Sequence, residues 1–280
     1  MKRLCVFITL ICLFCVSCEM FTKPVFTTDR DLSSRVSGAS TETIAATIET
    51  FASDPEQAAV LINELSARDK EEIDNLPLES KEDILSVAVS TVMPISAITE
   101  VLEDALGSDV EDDSDSEDVD ADSLIDSVIN AGTTVDTNVV EVILSDEEVL
   151  QNGDSYTLLM SSIALVSSAV KTETADGSES TQVLETVRDA VSKTTGVGGF
   201  DSEAFSEQLT EAGFDKDSVE SLTVAVKVAT VLNGTAGEGE INRKEDTEGL
   251  TLVGYDVSSL LNDLLGFNEE DTTNPEEVGA

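Results

Sequence analysis

The carboxylates of "DVDADSLID" come closer than any other side chains in the sequence to the spacing of a ligand set. Asp118, Asp120, Asp122 and Asp126 stand at positions 1, 3, 5 and 9 of a calcium-binding loop, with Ile125 at its apolar position 8. Calcium takes about six to eight oxygens at roughly 2.3–2.6 Å, and this spacing can supply several of them. Ser123 stands where the sharp turn of such a loop wants glycine, and Ile129 where a bidentate glutamate would close the shell. The pattern therefore predicts an incomplete, weak calcium site. Nine of the sixteen residues from Gly107 to Asp122 are acidic, so alternating aspartates arise cheaply there, and a solvated acidic linker is the competing reading.

Other chemistry is narrowed by what the chain lacks. There is no histidine, which removes the commonest general base and metal ligand and with it the Ser-His and Cys-His arrangements. Ser168-Ala169-Val170-Lys171 has the S-x-x-K spacing that brings serine and lysine together one helical turn apart, and in this it resembles penicillin-recognising enzymes. No Ser-Asp-Asn follows, and Lys193-Thr194-Thr195-Gly196 is not Lys-Thr-Gly. That motif also opens a helix, whereas these residues close one, so Lys171 is expected to complement a helix C-terminus. Paired carboxylates could hydrolyse glycosides, but among 58 acids such pairs arise by chance. Sugar-stacking platforms are scarce, with no Trp and two Tyr. Gly196-Val197-Gly198-Gly199 lacks the Lys and Ser or Thr of a phosphate loop and reads as a turn. No enzyme is expected, and catalysis stands third behind a structural and a binding role.

The four cysteines are Cys5, Cys12, Cys15 and Cys18, all at the front of the chain. Lys2 and Arg3 form a basic start, and Leu4 to Val16 is an almost unbroken apolar run, the hydrophobic region of a secretory signal. A spanning helix needs about 20 apolar residues, and Glu19 arrives too soon for one. The run closes on Cys15-Val16-Ser17-Cys18, which resembles the lipobox of bacterial lipoprotein precursors, with Cys15 standing where that pattern prefers leucine. The resemblance covers residues 1–18 and implies cleavage before Cys18, diacylglycerol on its sulfur and acylation of the new amino group. The mature chain would then keep one cysteine, occupied by lipid, leaving none for a disulfide, a zinc site or a thiol nucleophile. An ordinary signal peptide with small apolar cysteines is the alternative. The expected address is the cell envelope, on a membrane through the lipid and without crossing it, facing periplasm or exterior.

Charge excludes further classes. The chain carries 15 basic and 58 acidic residues, a formal charge of −43. Between Lys81 and Lys171 there is no base at all but 21 acids. Such a field repels phosphate backbones, so DNA and RNA are not expected partners. Anionic headgroups are repelled likewise, which leaves membrane contact to the acyl chains. A solvated surface suited to screening by salt is the expected role of the charge. A specific site for cations or for a basic partner is the other.

The elements that must carry these residues follow from apolar spacing. Apolar residues make up 40% of the chain, and a chain of this length can bury about 70% of the surface it exposes when unfolded. Residues 1–17 are read as signal peptide, 18–39 as a lipidated flexible tether, 40–106 as a first helical part, 107–122 as an acidic linker or loop, 123–266 as a second helical part and 267–280 as a mobile acidic tail. Helical stripes are expected at Ile44, Ile48, Phe51 and Ala52; at Ala59, Leu61, Ile62 and Leu65 after an Asp54-Pro55 start; and at Ile84, Val87, Ala88 and Val92 after a Ser80–Asp83 capping box. Pro94 should interrupt that element, before Ile95, Ile98, Val101, Leu102 and Ala105 form the next.

Further stripes are Leu124, Ile125, Val128 and Ile129; Val139, Val140, Val142 and Ile143, whose β-branching also suits a strand; and, after a Ser145–Glu148 capping box, the apolar segment from Tyr156 to Lys171, read as the central buried helix. Val183, Leu184, Val187 and Val191, then Phe205 and Leu209, then Val219 to Leu232 before Asn233-Gly234 continue the pattern. "LTLVGYDV" alternates like a short strand, and Val257, Leu260, Leu261, Leu264 and Leu265 make a last helix before Gly266. The sum is an all-α globular bundle of about ten to twelve short amphipathic helices. Its expected role is structural or protein-interacting, with an envelope protein as partner and no cofactor beyond the lipid; a solute- or cation-binding lipoprotein is the alternative.

Overall fold

The computed structural model describes residues 32, 36–92, 129, 136–175, 177–196, 198–236, 241–243, 247, 250–252 and 255–267. Two units are distinguished along the chain, Met1–Gly38 and Ala39–Ala280, and every element below belongs to the second. It opens at Ser40, whose hydroxyl accepts the Thr43 amide at 3.3 Å and so caps α1, Thr41–Ile48. Ile44 and Ile48 are buried as expected. Phe51 is only half-buried and Ala52 exposed, because a 3-10 turn over Glu49–Phe51 winds the chain more tightly and carries both off the apolar face.

Asp54 and Pro55 start α2, Pro55–Ser66, with Asp54 accepting the Gln57 amide at 3.2 Å. Ala58, Leu61, Ile62 and Leu65 face inward, whereas Ala59 is half-exposed. The short α3, Lys70–Asp74, buries Ile73. In α4, Leu78–Val92, the Lys81 amide bonds to the Pro77 carbonyl at 3.1 Å. The helix thus starts upstream of Ser80, which lies within its first turn and does not act as a cap. Ile84, Leu85, Val87, Ala88 and Val92 are buried along it.

The valine-rich run is helical: α5 covers Asn138–Leu144 and buries Val139, Val140, Val142 and Ile143. Its start is tied to the end of α2, since the Ser66 hydroxyl accepts the Val139 amide at 3.2 Å and Asn138 donates to the Ser66 carbonyl at 2.7 Å. The cap of α6, Glu147–Asn152, is Asp146, which accepts the Glu148 amide at 2.8 Å. Ser145 turns its hydroxyl back to the Glu141 carbonyl at 2.7 Å, so the expected capping box is not made. Asp154 caps α7, Ser155–Thr174, the longest described helix.

Thirteen of the twenty residues of α7 are buried, which requires neighbours around most of its circumference. Those neighbours are α4, α5 and three helices farther along the chain. They are α8, Ser180–Thr194; α10, Lys216–Asn233, which shares the most extensive contact with α7; and α11, Val257–Leu265. Tyr156 to Lys171 is therefore the central helix, as its composition predicts. Between α8 and α10 lie two paired strands, β1, Thr195–Gly196, and β2, Gly199–Phe200, followed by α9, Ser202–Glu211. The glycine-rich segment is thus a tight hairpin, with Gly199 at φ 95°. Phe200 meets Phe205 of α9 edge-on, ring centroids 5.3 Å apart.

The alternating run near the C-terminus is a minimal hairpin and not one strand: β3, Thr251–Leu252, pairs antiparallel with β4, Tyr255–Asp256. All five apolar residues expected of the last helix are buried in α11, and Gly266 follows at φ 75°. The described residues hold eleven α-helices and four two-residue strands, an all-α bundle as the spacing predicts. None of the described helices is long and apolar enough to cross a membrane.

Candidate functional site

Cys18 and the four calcium-candidate aspartates, Asp118, Asp120, Asp122 and Asp126, lie outside the described residues, as do the stripe at 95–105 and the acidic segment at 107–122. Of the stripe ending at Ile129 only Ile129 itself is described, helical and buried. The Ser168–Lys171 pair lies in the C-terminal part of α7, which runs on to Thr174, so it closes a helix as expected.

Three polar junctions stand out within the bundle. Lys81 is 3% exposed, a rare position for a lysine in any protein. Its Nζ donates to the Asp74 carbonyl at 2.8 Å and to the Asp146 carboxylate. Asp146 thus does two things, one oxygen capping α6 and the other holding the ammonium. Burial alone would raise its pKa, but the Lys81 hydrogen bond, the Glu148 amide, the Lys81 charge and the Val149 amide outweigh that and hold the carboxyl below its ordinary value. The clasp joins α3, α4 and α6, and so elements on both sides of residues 93–128.

Glu141 of α5 is the opposite case. Its Oε1 accepts from the Ser221 hydroxyl at 2.5 Å and from the Thr137 hydroxyl at 3.1 Å, where α5 meets α10. Burial pushes its pKa up; the two hydroxyls work against that, and the charges of Glu220 and Asp217 add to it. A carboxyl with a raised pKa beside a serine is a group that general acid chemistry can use. Neither Glu141 nor Ser221 lines either of the two concavities described below. The pair pins α5 to α10.

The third junction is Arg243, whose Nη1 donates to the carbonyls of Gly153 at 2.7 Å and Leu150 at 3.2 Å, and whose Nη2 donates to the Ser155 hydroxyl at 2.8 Å. It satisfies carbonyls at the end of α6 that have no partner within that helix. Gly153 is required at this corner, because a Cβ there would fall 2.6 Å from the Val149 carbonyl oxygen.

Two concavities are lined mainly by polar residues. One, of about 370 Å³, lies at the corner between α7 and α8 beside Lys171, Thr174, Ser178 and Thr181. The other is a shallow trough of about 700 Å³ along α9 and reaching Thr223 of α10, where Glu203, Glu207 and Glu211 alternate with Ser202, Ser206 and Thr210. No aromatic ring lines either one. Among the described residues, no group of three or more acidic or cysteine side chains is placed to hold a metal ion.

Sequence reasoning missed all three junctions. Lys81 had a signal, since it precedes Ile84 and Leu85 by one helical turn on the buried face. Glu141 had one too, as the single charge inside the Val139–Ile143 run. Arg243 sits in a loop and had none. Compared with family models, curated proteins and solved structures, the chain matches none.

Proposed function

We propose that this protein is a lipid-anchored component of a bacterial cell envelope whose acidic helical domain has a structural or protein-interacting role. The observation that carries the proposal is Cys15-Val16-Ser17-Cys18 at the close of an apolar run that follows Lys2-Arg3. In this reading Cys18 becomes the first residue of the mature chain. Acyl chains on it hold the protein at roughly 0.8 kcal/mol per buried methylene, and several chains on one residue make the attachment stable.

The rest of the molecule is consistent with that address. With Lys2 and Arg3 removed, 13 of the 15 bases remain against 58 acids, a formal charge of −45, which turns the domain away from anionic headgroups and from nucleic acid. The polar groups Lys81, Glu141 and Arg243 tie elements of the bundle to one another, which suits a scaffold or interaction domain. A partner with a basic surface fits the charge.

Metabolic labelling with palmitate tests the anchor. The wild-type protein is expected to take up label and to fractionate with membranes, and Cys18→Ala to do neither. Equal labelling of the two forms, or labelling of neither, would overturn the proposal.

A further inference from the structure

We draw no further inference here: the strongest candidate, the polar concavity at the corner between α7 and α8 where Lys171, Thr174, Ser178 and Thr181 surround the first turn of α8, is a helix N-terminus into which no buried, unpartnered polar side chain of the described residues points.

Discussion

Removing the Lys81 ammonium would leave the Asp74 carbonyl without that donor and the Asp146 carboxylate with only its capping amides. Breaking a buried ion pair from one side costs about 3–5 kcal/mol when the remaining charge is sealed from water. Asp146 keeps 20% of its side chain exposed, so water recovers part of that. Lys81→Met should therefore lose about 2 kcal/mol, read from urea unfolding at neutral pH. Because the folded-state pKa of Asp146 is lowered, its contribution is present above the unfolded value and disappears as pH falls through the folded one. The loss in Lys81→Met should accordingly shrink toward acid.

Glu141 reverses the sign. Its raised folded-state pKa means that its contribution is complete below the unfolded value and lost as pH rises through the folded one. Once ionised, Glu141 opposes folding, although Ser221 and Thr137 soften the effect. Glu141→Gln keeps an acceptor for both hydroxyls and removes the charge. It should melt at a higher temperature than wild type at neutral pH, with the gap closing in acid; a lower melting temperature at neutral pH would contradict this account.

At the scale of elements, side-chain caps start many of the helices. Asp54, Asp146, Asp154, Asp201 and Asp215 each accept an amide of the first turn, and Ser40 does the same for α1. Some of the acidic excess therefore sits where a helix dipole favours it. Asp154 opens the central helix, accepting the Thr157 amide at 2.8 Å and the Thr157 hydroxyl at 2.9 Å. Asp154→Ala should cost about 1 kcal/mol in chemical denaturation and Asp154→Asn much less.

The caps also show where local sequence stops being sufficient. Asp54-Pro55 was legible because both residues act within their own turn. Ser145 and Glu148 have the spacing of a capping box, yet Asp146 wins the position because its second oxygen also reaches Lys81, a residue 65 positions away. The valine run of α5 is ambiguous for a similar reason. Its residues suit strand or helix, and burial against α2, α3, α4, α6, α7 and α10 leaves it no strand partner.

For the whole molecule the dominant fact is a formal charge of −43, which compaction concentrates. Cations do little to offset it locally. Lys193–Asp189 and Lys216–Glu220 are exposed pairs one turn apart on their helices, a class that contributes little to stability. Self-repulsion should then be the salt-sensitive part of the folding free energy. The screening length falls from about 30 Å at 0.01 M salt to about 8 Å at 0.15 M. The melting temperature is expected to climb over that range, in sodium chloride as the simplest test. A flat or falling profile would mean that the acids are paired or spaced better than their number suggests.

Legible in the residues alone were the helical class, the faces of α4, α8 and α11, three of the four residues expected on the inner face of α2, the central place of α7 and the sign of the net charge, because each of these depends on residues within one or two turns or on a simple sum. The fold was needed to show that Lys81 is buried and Glu141 half-buried, that α2 meets α5, that α4 meets α6 and that Arg243 closes the corner before α7. Those contacts bridge stretches of 65 to 93 residues. Periodicity can place a polar side chain such as Lys81 on an apolar face, but the surfaces that bury it and the groups that pair with it arrive from elsewhere in the chain.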